Sequence, residues 1–248
     1  MIILKMKRTF LYLALASIAL SSCQDDDRVD EIEEVALDTQ NSYDDQAIAK
    51  YLETHYLDAK GNVKDFVETD TVNTKLSDMD YVTLPSGVVY VVKPSAQPVD
   101  GTPIGDTDVI HLMTNTLTYV ASNTDGKIEF GSPATFKNTI AGLGVPEIDP
   151  AYYYVKKSVV DKLNADNGTT YTRSFYEIEG FREALQKFQA YNIPDSENYN
   201  LQGVIIVPSR AAFARDPHYN YVGIALRNRS FVFNFQVYKS RPRLSTEN

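Results

Sequence analysis

Three stretches near the end of the chain decide the fold: Glu177-Ile-Glu-Gly-Phe-Arg-Glu-Ala-Leu-Gln-Lys-Phe188, Gly203-Val-Ile-Ile-Val-Pro-Ser-Arg-Ala-Ala-Phe213 and Ser230-Phe-Val-Phe-Asn-Phe-Gln-Val237. In the first, Ile178, Phe181, Ala184, Leu185 and Phe188 line up on one side of a short amphipathic helix. The second is an apolar strand stopped at Pro208 and followed by a loop. In the third, Phe231, Phe233, Phe235 and Val237 alternate with Ser230, Val232, Asn234 and Gln236, so one face is aromatic and the other mostly polar. A helix laid across the aromatic face of an antiparallel sheet buries both apolar surfaces. The expectation is an α+β domain.

Upstream, Pro85-Ser86-Gly87 is a turn and Val88–Val92 a β-branched run, the first strand. A loop from Pro94 to Gly105 leads into a second strand over Asp106–Thr118. Asp125-Gly126 turns the chain before Lys127-Ile128-Glu129-Phe130, and Phe136 lies near a further short strand. Residues 140–174 carry Pro146, Pro150, the run Tyr152-Tyr153-Tyr154 and a helix signal near Val155–Leu163. Lys60–Asp80 has no clear period, and the chain shows no internal repeat and no glycine pattern of a dinucleotide or phosphate loop.

The order and spacing of these stretches resemble FKBP-type peptidyl-prolyl isomerases over about Ser86 to Arg241, interrupted at Ile140–Ser174 and around Tyr191–Asn200. The family's helix entry appears as Ile178-Glu179-Gly180-Phe181, with Phe181 where a tryptophan often floors the pocket. Its proline-serine run appears as Pro208-Ser209-Arg210-Ala211-Ala212-Phe213, and Ile224 matches the isoleucine that overhangs the pocket. Phe233 matches the aromatic of the last strand, Val109-Ile110-His111 the strand ending in valine-histidine-tyrosine, and Phe130 and Phe136 the two upstream phenylalanines. The resemblance implies a curved antiparallel sheet wrapped on a short central helix, with catalytic roles for Phe130, Ile178, Phe181, Phe213 and Phe233. It implies substrate contacts from Leu112, Gly131, Phe136, Ala212 and Ile224. Three positions depart from the pattern: Gly131 stands for an aspartate, Phe213 for a ligand-binding tyrosine and Leu112 for another tyrosine. Weakened catalysis and reduced macrolide affinity follow, and Phe213→Tyr is expected to raise turnover.

The implied chemistry needs no cofactor, metal or nucleophile. Amide resonance sets a rotation barrier of about 18–20 kcal/mol, and an apolar cavity disfavours the charge-separated planar amide relative to the twisted one. The N–H of Ile178, at the helix start, is expected to hold the substrate carbonyl. His111 reads as a packed or hydrogen-bonded strand residue, His55 and His218 fall on a helix and a loop, and no two histidines share metal-ligand spacing.

The N-terminus sets the compartment. Lys5, Lys7 and Arg8 precede an apolar run, Phe10–Leu20, too short to cross a bilayer comfortably. Leu20-Ser21-Ser22-Cys23 resembles a bacterial lipobox, and Cys23, the only cysteine, is the expected lipidation site. The layout expected is signal peptide 1–22, acidic tether 23–43, N-terminal helical extension 44–83 and FKBP-like domain 84–242. In the extension Asp44 and Asp45 offer N-caps, and Ile48, Tyr51, Leu52 and Tyr56 share a face. Removing Lys5, Lys7 and Arg8 from 24 basic residues leaves 21 against 33 acidic ones, a net charge of −12. That charge argues against nucleic acid and leaves acyl chains, at about 0.8 kcal/mol per buried CH₂, to hold the membrane.

Gln24-Asp25-Asp26-Asp27 resembles an export tag for surface display, with a periplasm-facing outer-membrane lipoprotein as the alternative. The expected partners are proline-containing peptides or unfolded exported proteins, with chaperoning as an added role. A binding module in an envelope complex, with catalysis decayed, is the rival reading; a structural part of a surface machine is a third. The 140–174 segment, placed before the central helix, is either a lid or docking element or a passive elaboration.

Overall fold

The computed structural model describes residues 34–218 and 221–248, and Ala36–Asn248 forms one compact unit. The proposed signal peptide, Cys23 and the Gln24–Asp27 run lie outside the described residues. Among the described residues three helices, α1 (Leu37–Thr54), α2 (Lys157–Asn167) and α3 (Glu179–Leu185), accompany eleven strands. The strands are β1 (His55–Leu57), β2 (Val63–Asp65), β3 (Tyr81–Thr83), β4 (Val89–Val92), β5 (Thr102–Pro103), β6 (Val109–Thr124), β7 (Lys127–Asn138), β8 (Glu147–Ile148), β9 (Gln189–Ala190), β10 (Gly203–Val207) and β11 (Arg229–Arg241).

The main sheet is antiparallel, in the order β3-β4-β10-β11-β6-β7, with β8 also paired to β6. Its centre is β10 against β11, Ile205 opposite Phe233, and β11 runs along β6 with Phe233 opposite Thr116. The β6–β7 hairpin closes at Asp125 (φ 52°) and Gly126 (φ 82°), the left-handed pair that a two-residue turn between twisted strands demands.

One face of the sheet carries Ile205, Val207, Phe231, Phe233, Phe235 and Val237 against Ile178, Phe181, Ala184 and Leu185 of the α3 region. The helix comes this close because residue 180 is glycine. A Cβ there would stand 2.7 Å from Val88 Cγ2, 2.8 Å from Val207 Cγ1 and 2.9 Å from the Ala211 Cβ. Ser86 Oγ donates to Glu183 Oε2 at 2.6 Å, fastening the turn before β4 to the helix.

The opposite face is buried as well, which the alternation along β11 does not suggest. Ile48, Tyr51 and Leu52 of α1 cover Val89, Val91, Val204, Ile206 and Val232. Asn234, read as a polar-face residue, is 2% exposed. Its Nδ2 donates to the carbonyls of Gly61 (2.8 Å) and Gly203 (3.0 Å), and its Oδ1 accepts from Val63 N–H at 3.1 Å. Helix α1 starts at Leu37, inside the stretch expected to be a tether, and stops at Thr54, so Tyr56 falls in β1. Asp44 sits within the helix instead of capping it. Its carboxylate accepts from the Ser209 N–H (2.8 Å), the Ser209 hydroxyl (2.6 Å) and Gln40 Nε2 (3.0 Å). The first turns of α1 are thus held by buried polar contacts that leave no apolar period in the sequence.

Candidate functional site

The aromatic face under α3 gathers most of the expected site. Ile178, Phe181, Phe233 and Leu112 are fully buried, and Phe136 and Phe213 are each 6% exposed. Phe181 stacks on Phe233 at 4.0 Å, and Phe136 meets Phe231 edge-on at 5.0 Å. Ala212 and Ile224 pack half-buried against this cluster. Phe213 stacks on His218 at 4.0 Å and on Tyr221 at 5.7 Å.

Phe130 does not join them. It stacks on Tyr119 at 5.2 Å and approaches Tyr51 at 6.0 Å, on the face covered by α1. The cause is irregular pairing in β7, which carries two extra residues against β6, one at Ser132–Pro133 and one at Phe136 itself, between the pairs Leu117↔Thr135 and Thr116↔Lys137. The pairs Thr118↔Ala134 and Val120↔Gly131 leave Ser132 and Pro133 opposite the single residue Tyr119, with Ser132 at φ 48°. Such a bulge reverses which face later residues point to, so Phe136 reaches the aromatic cluster and Phe130 cannot. Gly131 pairs with Val120 at this irregularity, and a Cβ there would meet only the Val120 carbonyl oxygen, at 3.9 Å. Nothing about its space requires glycine.

The N–H expected to hold a substrate carbonyl is already engaged. Ile178 N–H donates to the Tyr152 carbonyl oxygen at 2.7 Å. The Tyr152 ring lies 5.2 Å from Phe136 and 6.0 Å from both Phe181 and Phe233, closing the cluster with 3% of the residue exposed. Burial pushes its phenol well above the ordinary value, so it stays neutral and donates to Glu147 Oε2 at 3.3 Å.

Local geometry explains how residues 140–174 deliver Tyr152. Strand β8 pairs Ile148 with His111, and Asp149 N–H donates to the Ile110 carbonyl at 2.9 Å. Asp149 then takes φ 56°, a left-handed setting that aspartate tolerates better than most residues. Arg243 holds its carboxylate in a two-point ion pair. Pro150 follows, its carbonyl accepting from the Tyr153 (2.9 Å) and Tyr154 (3.0 Å) N–H groups, and this turn points Tyr152 inward.

The far side of the segment is latched by Glu177, which is 1% exposed. Its carboxylate accepts from Val155 N–H (2.9 Å), Arg173 Nε (2.9 Å) and Arg182 Nη1 (2.5 Å). Tyr154 lies between the guanidinium groups of Arg173 and Arg243, each 3.7 Å from its ring centre. A cavity of about 810 Å³ opens beside this latch, lined by Tyr154, Arg173, Glu177 and Arg182, and lies outside the aromatic cluster.

Tyr221 and Glu177 are absent from the expected site, and Tyr152 enters it only as part of the tyrosine run in the 140–174 segment. The visible signal for Tyr152 was an aromatic run directly after a proline, inside the one segment that fits the FKBP pattern poorly. His111 is a strand residue with its Nδ1 2.9 Å from the Asp195 carboxylate. No cluster able to hold a metal ion occurs among the described residues.

No known family profile matches the sequence, and no curated protein sequence matches it. Similar solved structures are FkpA from Escherichia coli and a peptidyl-prolyl cis-trans isomerase from Pseudomonas syringae pv. tomato. FkpA is 19% identical with a TM-score of 0.35, over 65% of this chain and 52% of that one, so the chain spans about half the length of FkpA. The Pseudomonas isomerase is 12% identical with a TM-score of 0.39, over 84% of this chain and 98% of that one.

Proposed function

We propose that the chain is an FKBP-like peptidyl-prolyl isomerase of the cell envelope whose proline pocket is occupied, at rest, by its own Tyr152. The observation that carries this reading is the 2.7 Å hydrogen bond from Ile178 N–H to the Tyr152 carbonyl. A backbone carbonyl sits where the carbonyl of an Xaa-Pro substrate would be held, and an aromatic ring lies in the apolar cluster beside it. When the 140–174 segment withdraws, Phe136, Phe181 and Phe233 present the apolar walls, and Ile178 N–H becomes available to the substrate carbonyl. The twisted amide then loses less solvation than the planar one on entry, which lowers the barrier. Occupancy by Tyr152 weakens apparent substrate affinity in proportion to the closed fraction. Anchoring through an acylated Cys23, and action on exported proteins with or without chaperoning, belong to the same proposal.

A second reading is a binding module that uses the fold without turnover. It is favoured by Phe213 and Gly131, where the family pattern has a tyrosine and an aspartate. NMR exchange on Xaa-Phe-Pro and Xaa-Leu-Pro peptides separates the two, using the chain from Gln24 and its Tyr152→Ala variant. A self-occupied isomerase gives weak catalysis that rises at least about tenfold in the variant, a change of about 1.4 kcal/mol. No enhancement from either folded protein assigns the binding module.

A further inference from the structure

We infer that residues 242–248, the stretch that follows β11, form an autoinhibitory clasp on the 140–174 segment, and that lifting the clasp uncovers the aromatic cluster. This regulation rests on the reading of Tyr152 as the occupant of the pocket.

The stretch grips the segment on both sides of Tyr152. Before it stands Asp149. Arg243 Nη1 donates to Asp149 Oδ2 at 2.8 Å and Arg243 Nη2 donates to Oδ1, a two-point ion pair whose side chains are 3% and 12% exposed. Asp149 is also the residue that takes φ 56° ahead of Pro150, so the ion pair fixes the turn that aims Tyr152 inward. Lys156 Nζ stands further from the same carboxylate, at 3.7 Å. After Tyr152 stands Tyr154. The Arg243 guanidinium lies 3.7 Å from its ring centre, and its hydroxyl donates to Asn248 Oδ1 at 2.7 Å.

The clasp is anchored by a few polar contacts and open along its body. Arg243 Nε donates to the Thr107 carbonyl at 3.0 Å. Arg241, the last residue of β11, donates to both Glu247 oxygens at 2.8 and 2.7 Å, and Leu244 N–H donates to Glu247 Oε2 at 2.9 Å. These bonds fold the stretch back on the strand. Leu244 is 61% exposed, and Pro242, Ser245 and Thr246 are exposed as well. Lifting the clasp therefore opens little apolar core of its own, and the cost falls on the Asp149 pair, where two sheltered charges lose each other. Glu177 ties the same segment at Val155 through partners close to it in the chain, Arg173 and Arg182. The clasp reaches Asp149 from 94 positions away, so it can let go while α3 stays in place.

Hydrogen exchange at the Ile178 amide and turnover of Xaa-Leu-Pro peptides are measured on the full-length chain and on its Arg243→Ala, Arg243→Lys and Asn248→Ala variants. Arg243→Ala is expected to speed both by about tenfold, because the open state becomes more populated. Arg243→Lys keeps the charge without the two-point geometry, and a gain of about threefold is expected. Asn248→Ala removes the Tyr154 hydrogen bond at an exposed position, for a gain of about twofold to fivefold, and keeps the test sharp if Arg243→Ala does not fold. The β10 and β11 amides stay protected in every variant. Unchanged Ile178 exchange in the folded variants overturns the clasp, and so does acceleration spread evenly over β10 and β11, the mark of a general loss of stability. Faster exchange confined to Ile178 and its neighbours, with no turnover by any of the proteins, supports the clasp and removes the isomerase reading instead.

Discussion

The two faces of the main sheet are both buried, but by different physics. On the α3 side the cover of the cluster is aromatic: Tyr152 enters among Phe136, Phe181 and Phe233, with one backbone hydrogen bond to Ile178 and its hydroxyl on Glu147, and the polar latch at Glu177 lies outside the cluster. On the α1 side the cover combines an apolar stripe with polar anchors, Asp44 on Ser209 and Asn234 on Gly61, Val63 and Gly203. An apolar cover of shallow directionality can withdraw and leave a usable cavity. A cover pinned by buried polar groups leaves those groups unsatisfied when it lifts, which favours permanence. We take the α1 side as the stabilising one and, on the proposed reading, the Tyr152 side as the functional one.

The largest test of this contrast truncates the shared floor. Phe233→Ala is expected to cost about 3–5 kcal/mol in urea unfolding, as a filled core does. A loss below about 1 kcal/mol would mean the cluster is open and wet. Next comes the pinned face, where Asn234→Ala removes the side-chain partner of one N–H and two carbonyls. A loss of about 2–3 kcal/mol is expected there, with amide exchange rising in both α1 and β2.

The latch gives a smaller effect. Glu177→Gln weakens the ion pairs to Arg173 and Arg182, which are a third and a quarter exposed on their side chains, so about 1 kcal/mol is expected. Faster exchange concentrated at Val155 and Ile178 would sharpen the comparison; uniform acceleration across the sheet would break it.

The smallest effect is in pH. Burial raises the Asp44 carboxyl above 3.8, against hydrogen bonds from Ser209 and Gln40 that lower it. The folded state therefore binds this proton more readily than the unfolded one, so stability from this site is greatest below pH 3.8 and falls as pH rises through the folded value. Relative to Asp44→Asn, the unaltered protein should lose stability on that rise, read as a shift in urea midpoint.

Strand and helix positions on the α3 side were legible because each rests on a local period: alternation over Phe231–Val237, and a three-to-four spacing over Ile178–Phe188. The start of α1 was not, since Gln40 and Asp44 are buried through contacts with Ala121 and Ser209, far along the chain. Nor was the facing of Phe130, because a bulge at Ser132–Pro133 is a register event that residue types do not announce. Of the site, Phe136, Phe181, Phe213, Phe233 and Leu112 do converge. The pairing of the Ile178 N–H with the Tyr152 carbonyl was not legible, for a tertiary reason: this partner lies 26 positions upstream, in a segment whose placement depends on β8 pairing and on Arg243.

The most direct measurement is hydrogen exchange at the Ile178 amide, residue by residue, in the ligand-free protein. Self-occupation of the pocket requires slow exchange at Ile178 that becomes markedly faster in Glu177→Gln while the β10 and β11 amides stay protected. An Ile178 amide that exchanges as rapidly as an exposed loop in the unaltered protein would contradict it, leaving the donor free and the pocket open.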